Sequence, residues 1–291
     1  MSYNNLAECN WGIIIGETRM NKKKHHEIET GKNILVGLLF ITALLFVCIK
    51  AAWPYKETSI LFTKYLNEPV VEEDVVVEEE VEEEIEEVVL TADMPMIAFT
   101  FDDGPGKYTD ELLTLFEEND AKASFFVLGS NVIKYPEVIK RMDELGFEIG
   151  NHSYSHAKLT EVTPEYLHAE VEWTNDELNR ILGHGTALVR PPYGAINETV
   201  RTSVAYPFAF WSVDTLDWEL KDAAAIAEYI LNTVQDGDVV LLHDIYGFTL
   251  EAMRIVVPKL QEQGYQLVTF SEMMEVHGIT MENGEKYFNC K

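Results

Sequence analysis

The sequence has few cysteines, few basic residues and no nucleophile-elbow motif. Each of these shortages argues against a class of protein. The three cysteines are Cys9, Cys48 and Cys290, and no pair of them could staple a folded domain, so neither a disulfide framework nor a cysteine-ligated metal is expected. Lys and Arg number 22 against 50 Asp and Glu. Phosphate binding needs clustered basic residues, so nucleic acid is excluded as a partner. The lack of a G-x-S-x-G motif disfavours a serine hydrolase.

The net charge of −28 is spread unevenly over the 291 residues, and this divides the chain into segments. Twelve acidic and no basic residues fall between residues 67 and 90. Because like charges repel along the chain, we predict an extended acidic linker over residues 54–90. The hydrophobic content of 47% is ample for a packed core, and we place the catalytic domain at residues 91–275, with a C-terminal tail at 276–291.

An uncharged, mostly apolar run covers residues 33–49. It is short for a bilayer span, but Lys50 can snorkel and extend a transmembrane anchor to 33–53. A buried core helix and a cleaved signal peptide are the alternatives, and the lack of a small-residue cleavage site favours an uncleaved anchor. Five basic residues before the run and three after it predict a cytoplasmic segment at 1–32 and a single-pass cell-membrane protein with an extracytoplasmic catalytic domain.

After residue 91, short apolar runs alternate with longer amphipathic segments, which predicts an α/β fold. The strand candidates are Met96–Phe101, Ala123–Leu128, Phe147–Gly150, Ala187–Val189, Phe208–Val213, Val239–Leu242 and Gln266–Thr269. The helix candidates are Thr109–Glu118, Pro136–Leu145, Pro164–Leu182, Glu198–Ala205, Asp222–Val234 and Leu250–Gln263, with Gly146 and Gly264 as C-caps. Seven strand–helix units predict a closed or nearly closed β/α barrel, with an open doubly wound sheet as the alternative.

Polar clusters follow the strand candidates, at the edge where β/α folds build their sites. Asp102 and Asp103 follow the first strand, and an Asp pair before Gly-Pro is by itself more typical of a turn. His152 and His156 follow the third strand, and two histidines four apart can lie on one side of a helical turn. With Asp103 they would form an open three-ligand site, which is typical of a catalytic metal.

Three more clusters end later strands: Arg190–Gly194, Asp214–Trp218 and Leu241–Asp244. Alone, each has a structural explanation as a salt-bridging Arg, a solvated acid or a core His. In order, T-F-D-D-G-P, H-S-x-x-H, R-x-P-Y-G, D-x-x-D-W and L-x-H resemble the five motifs of the NodB-type polysaccharide deacetylases, carbohydrate esterase family 4, over roughly residues 94–272. The resemblance implies a distorted β/α barrel of the NodB homology type, one divalent metal ion, usually zinc, and hydrolysis of acetyl groups on polysaccharides.

The resemblance also implies a role for each matched residue. Asp103, His152 and His156 would bind the metal, and Asp102 would be the general base that activates the attacking water. Arg190 would pair bidentately with Asp102, and the backbone N–H of Tyr193 would donate to the oxyanion. His243 would be the general acid, and Asp214 would be the carboxylate that orients His243. The substrate pocket would be lined by Trp218, Leu241 and Pro192.

These roles predict a metal-dependent N-deacetylase that acts on N-acetylated amino sugars of a cell-surface polysaccharide. Peptidoglycan N-acetylglucosamine and chitin-type oligosaccharides are the first expected substrates, and an O-acetyl xylan esterase is the alternative. A carbohydrate-binding surface protein that keeps only the fold is a second class of hypothesis, which loss of a ligand or base would favour. A structural metal protein is disfavoured because the three-ligand site is open. We expect a monomeric catalytic domain.

Overall fold

A computed structural model describes residues 90–291, and its central strand is β1, Met96–Asp102, in which all seven residues are buried. Alternate side chains of β1 enter different cores. Ile97, Phe99 and Phe101 lie in the larger core, and Met96 and Ala98 lie in a second core. Since both faces are covered, the strand is a nearly continuous apolar run, as is typical of parallel sheets.

The main sheet has six parallel strands in the order β3-β2-β1-β6-β5, with β7 paired to the first half of β1. Two further short strands, β4 and β8, pair in parallel with each other. The bounds are β2 Ser124–Val127, β3 Glu148–Asn151, β4 Phe208–Ala209, β5 Val213–Asp214, β6 Asp238–His243, β7 Gln266–Val268 and β8 Lys286–Tyr287. The α/β class with a parallel sheet, predicted from the sequence, is confirmed.

Single bridges continue the sheet beyond β3. Val189 bridges both Asn151 and Phe208, and Asn289 bridges Asp238 at the start of β6. The predicted strand at 187–189 is therefore present only as bridges, and the predicted strand at 208–213 is split into β4 and β5. The bridges support curvature of the sheet, while the complete distorted barrel stays a prediction.

Nine helices cover the sheet in the described part of the chain. Their bounds are α1 Thr109–Glu117, α2 Gly129–Val132, α3 Pro136–Glu144, α4 Pro164–Leu182, α5 Glu198–Ser203, α6 Asp217–Leu220, α7 Ala223–Thr233, α8 Gly247–Glu262 and α9 Phe270–Val276. The bounds of α4 are those predicted, because the Thr163 side chain caps its start and Gly183 ends it with φ 86°. Gly146 and Gly264 also have positive φ, as their predicted C-cap positions require.

The predicted segments 1–32 and 33–53, and all but the last residue of 54–90, lie outside the described residues. Within 90–291 no helix combines the length and hydrophobicity that a membrane span requires. The predicted tail, 276–291, contains β8, and Phe288 stacks on Phe210 with ring centroids 4.9 Å apart. These contacts tie the end of the chain to the sheet.

Candidate active site

The functional side chains meet because their strands are parallel and end at one edge of the sheet. Asp102 at the end of β1 is in register with His243 at the end of β6. β3 ends at Asn151, so His152 follows directly at the same edge. The candidates were identified after strand ends, and the fold brings them together.

Asp103, His152 and His156 converge as predicted, with one ligand atom from each lying within 4.8 Å of the others. Asp103 Oδ1 is 3.6 Å from His152 Nε2 and 3.3 Å from His156 Nε2. The expected helical turn at 152–156 is wrong. The segment is an irregular loop in which Ser153 and His156 have φ of 69° and 63°, and this left-handed backbone turns the second imidazole toward the first.

The two imidazoles are prepared to bind a cation. His152 Nδ1 lies 2.7 Å from the carbonyl oxygen of Arg190, which can only accept, so Nδ1 carries the proton and Nε2 presents its lone pair. Burial is the main cause that lowers the pKa of His156, although the charges of Asp103 and Asp102 oppose it. A lowered pKa favours the neutral imidazole that metal binding needs.

The chemistry of this group fits a divalent metal. Asp103 Oδ1 is buried and has no hydrogen-bond partner in the protein, which is costly for a carboxylate oxygen unless a cation binds it. The backbone at Asp103 is left-handed, with φ 76°, and its carbonyl oxygen accepts a hydrogen bond from Asn131 Nδ2 at 2.8 Å. One carboxylate and two imidazoles leave positions open for water and substrate.

Asp102 lies beside this group and is only 3% exposed. Its Oδ1 accepts a hydrogen bond from Arg190 Nη1 at 2.9 Å, and its Oδ2 is 3.7 Å from His152 Nε2. Arg190 therefore pairs with the expected carboxylate, and the guanidinium compensates its negative charge in the buried site.

The Arg190–Asp102 pair uses one guanidinium nitrogen, so the expected bidentate contact is wrong. Nη1 also donates to the Thr100 hydroxyl, while Nε and Nη2 donate to the carbonyl oxygens of Ala209 and Phe210. The guanidinium carbon lies 4.0 Å from the ring centroid of Phe126. Because Nε and Nη2 both donate to backbone carbonyl oxygens, Arg190 is held in place without presenting a second nitrogen to Asp102.

His243 is oriented by Asp217, and the assignment of this role to Asp214 is wrong. His243 Nδ1 donates to Asp217 Oδ1 at 2.7 Å, and the His243 backbone N–H donates to Asp217 Oδ2 at 2.8 Å. Asp217 is 1% exposed and also accepts from the Thr249 hydroxyl. Burial lowers the pKa of His243, but the hydrogen bond and charge of Asp217, with smaller contributions from Asp102 and Asp103, outweigh it and raise the pKa to about 9.

The backbone after β5 explains the exchange of roles. Asp214 ends the strand, but its Oδ1 accepts the N–H of Leu216 at 3.0 Å, as in an Asx turn. Leu216 then takes a left-handed conformation, with φ 52°, and α6 begins at Asp217. Asp217 therefore meets His243, whereas Asp214 lines the cleft. The D-x-x-D-W motif contained the signal, since both carboxylates belong to it.

A cleft of about 460 Å³ joins these groups and is large enough for a sugar unit. Trp218 and Leu241 line it as predicted, whereas Pro192 is buried and does not. Tyr193, predicted as a backbone donor to the oxyanion, also lines it. The ring of Tyr193 lies edge-on to His156, with centroids 4.6 Å apart. The lining residues that the sequence reasoning missed are Gly194, Trp211 and Tyr246.

Asp244 explains the glycine of the first motif. Its buried Oδ2 accepts a hydrogen bond from the Thr109 hydroxyl at 2.6 Å, and a Cβ on Gly104 would lie 2.0 Å from the same oxygen. Burial raises the pKa of Asp244 to about 7. The close approach packs the turn after Asp103 against the residue that follows His243, so glycine is required there.

The cleft thus combines an open three-ligand cation site, a buried carboxylate and an imidazole whose pKa is raised. Metal-assisted hydrolysis uses groups of these kinds, with a base and an acid beside the metal.

Comparisons with known proteins agree with this class. A family model for polysaccharide deacetylase matches residues 90–206. The peptidoglycan-N-acetylmuramic acid deacetylase PdaC of Bacillus subtilis (strain 168) is 39% identical over 198 residues, which are 68% of this chain and 42% of that protein. A structure described as T48 deacetylase with substrate has a TM-score of 0.66 and 38% identity, covering 68% of this chain and 99% of that chain.

A third relative is a family 4 acetyl xylan esterase from Clostridium thermocellum in complex with a cobalt ion. Its TM-score is 0.63 and its identity 30%, covering 67% of this chain and 98% of that one. The chain belongs to the polysaccharide deacetylase family, as its five motifs predicted. It spans about two fifths of the length of curated relatives such as PdaC.

Proposed function

We propose that this protein is a metal-dependent hydrolase that removes acetyl groups from N-acetylated amino sugars of a cell-surface polysaccharide. The observation that carries the proposal is the single cleft in which Asp102 and His243 flank the group formed by Asp103, His152 and His156. Every ligand, the base and the acid are present, which disfavours a binding protein that keeps only the fold.

In the proposed reaction the two flanking residues handle protons. Asp102 takes a proton from the attacking water, and Arg190 holds its carboxylate in place. His243 gives a proton to the leaving nitrogen, because its Nδ1 is bound to Asp217 and only Nε2 is left to donate. An amine leaves poorly without this proton, so an amide substrate needs the acid.

The remaining residues bind the metal and the acetyl group. A divalent ion held by Asp103, His152 and His156 would polarise the acetyl carbonyl and acidify water, and the set of one oxygen and two nitrogen ligands favours zinc. The backbone N–H of Tyr193 would donate to the oxyanion. Trp218 and Leu241 line the cleft and would contact the acetyl methyl group.

We place peptidoglycan N-acetylglucosamine first among the substrates. Curated relatives include peptidoglycan-N-acetylglucosamine deacetylases of Listeria monocytogenes and Bacillus cereus, which supports this choice. PdaC is named for N-acetylmuramic acid, and a Pseudobutyrivibrio xylanivorans relative is a bifunctional xylanase/deacetylase. An O-acetyl esterase acting on xylan is therefore the second candidate.

Acetate release by the purified full chain tests the substrate class. We expect release from peptidoglycan and from chitooligosaccharides, with mass spectrometry locating the lost acetyl groups on N-acetylglucosamine. His152→Ala is the inactive control, and His184→Ala is its match, since the exposed His184 ring contacts only Asp143 and the Gly185 carbonyl oxygen, away from the cleft. Release confined to acetylxylan would replace the proposal with the esterase, and no release from any substrate would overturn both.

We further propose a single-pass membrane protein with its catalytic domain outside the cytoplasm, on the basis of the uncharged run at 33–49 and the acidic residues at 67–90. Protease added to intact cells should cut the acidic segment and release an active fragment. A domain protected until the cells are lysed would contradict this topology.

A further inference from the structure

The loop that carries both candidate histidine ligands has an unusual backbone. Residues 152–156 form neither helix nor strand, and Ser153 and His156 are in the left-handed region. Such a conformation is unfavourable for non-glycine residues and persists only where the surroundings impose it. Contacts from outside the loop must therefore determine where the two imidazoles lie.

The carbonyl side of the loop is held by the start of α2. The backbone N–H groups of Gly129 and Ser130 donate to the carbonyl oxygens of Ser153 and Tyr154, at 3.1 and 3.0 Å. These two bonds fix one edge of the peptide chain between the histidines. The backbone N–H groups of residues 154 and 155 take no part in these bonds and need other hydrogen-bond acceptors.

Glu170 accepts these two N–H groups. This α4 residue is completely buried, and its carboxylate accepts three hydrogen bonds, all from the two residues between Ser153 and His156. Oε2 accepts the backbone N–H groups of Tyr154 and Ser155 at 3.0 and 2.8 Å, and Oε1 accepts the Ser155 hydroxyl at 2.7 Å. A buried carboxylate is costly, and three donors directed at it compensate that cost.

We propose that Glu170 is a positioning residue for the metal centre, which holds the 152–156 loop so that His152 and His156 converge on Asp103 before an ion binds. Helix α4 gives the carboxylate a rigid support, since Asn151 Nδ2, next to the loop, donates to the Val171 carbonyl oxygen at 2.9 Å. Without Glu170, ion binding would have to order the loop, and affinity would fall by that cost. The inference rests on the metal assignment in the proposed function.

The test measures Zn²⁺ affinity of the full chain by competition with a chromophoric chelator. Glu170→Ala should bind Zn²⁺ about 10–100-fold more weakly, the range typical of residues that orient metal ligands. Excess Zn²⁺ should restore most of its kcat. In Glu170→Gln the side-chain oxygen can still accept both backbone N–H groups, and the side-chain NH₂ can donate to the Ser155 hydroxyl. This variant should therefore keep most of the wild-type Zn²⁺ affinity.

Leu167→Ala is the matched control, because Leu167 is a buried residue of the same helix that packs in a separate core. It should lower thermal stability and leave Zn²⁺ affinity unchanged. Affinity in Glu170→Ala within about twofold of wild type, or an equal loss in Glu170→Gln, would overturn the proposal. If Glu170→Ala does not fold, Ser155→Ala is the deciding variant. We expect it to lower Zn²⁺ affinity several-fold, and an unchanged Zn²⁺ affinity would overturn the proposal.

Wild-type protein and His152→Ala are measured in the same assay. Tight binding by the wild type that is lost in His152→Ala supports the metal site itself. Failure of wild type to bind Zn²⁺ would overturn the metal assignment and the role of Glu170 together. Normal wild-type binding with unchanged affinity in the Glu170 variants would overturn the role of Glu170 alone.

Discussion

Asp102→Asn is expected to lower kcat on an N-acetylated oligosaccharide by about 10²–10⁴-fold, the usual contribution of a general base. Asparagine has the same shape and keeps an oxygen that can accept the hydrogen bond from Arg190 Nη1. It cannot take a proton from water. The site would therefore keep its arrangement and lose the acceptor that the attack on the acetyl carbonyl requires.

Metal binding separates loss of the base from loss of the site. The candidate ligands are Asp103, His152 and His156, so Asp102→Asn should keep the metal content of the wild type. Asp214→Asn is the matched control, because it makes the same carboxylate-to-amide change in the same cleft at a residue bonded only to the Leu216 N–H. Near wild-type turnover in Asp102→Asn would assign the base elsewhere.

The sequence predicted those parts of the fold that depend on local patterns. The helix at Pro164–Leu182 has the bounds predicted from its pattern and from Pro164 at its start, and the structure adds the Thr163 cap and Gly183 at its end. β1 was found because both of its faces are buried, which leaves an apolar run in the sequence. Helix α9 was missed although Thr269 and Glu272 form a capping box that the sequence displays.

The continuous strand predicted at 208–213 was split by tertiary contacts. Phe210 donates its N–H to the Tyr287 carbonyl and accepts from Arg190, while Ser212 donates to the Val239 carbonyl. Neighbouring residues thus bind different strands, and one binds the site itself. A period of two along the chain carries no information on which partner each residue meets.

The sequence motifs predicted which residues belong to the site. They did not predict roles that depend on which side chains touch in the folded protein. The D-x-x-D-W motif contains both Asp214 and Asp217, and the resemblance gave the role to Asp214, but the left-handed Leu216 between them decides which one reaches the imidazole. Glu170 looks like an ordinary acidic residue in a helical pattern. Its complete burial and its three hydrogen bonds to residues 154 and 155 distinguish it from an exposed acidic residue of the same helix such as Glu165.

Asp217→Asn is expected to move the alkaline limb of kcat/KM to lower pH. The acid must be protonated, and His243, with its pKa raised to about 9, stays protonated across neutral pH. Burial lowers the pKa of His243, and the hydrogen bond and charge of Asp217 are the main effects that raise it. Without the Asp217 charge, the pKa of His243 should therefore fall. An opposite charge in contact shifts a pKa by roughly 1–3 units, so the limb should move down by about that amount. The pH profile of kcat/KM on a chitooligosaccharide measures it.

Asp214→Asn and His243→Ala are the controls that assign the limb. The Asp214 carboxylate bonds the Leu216 N–H and not the imidazole, so Asp214→Asn should leave the limb in place. His243→Ala has no acid, and its residual activity should lack the limb altogether. Asp217 also accepts the Trp218 N–H and the Thr249 hydroxyl, so its variant will lose some stability, but lost stability alone lowers activity at every pH. A limb that moves in Asp214→Asn and stays in Asp217→Asn would restore the role of Asp214 that the family resemblance implied, because only the carboxylate bonded to the imidazole can set its pKa.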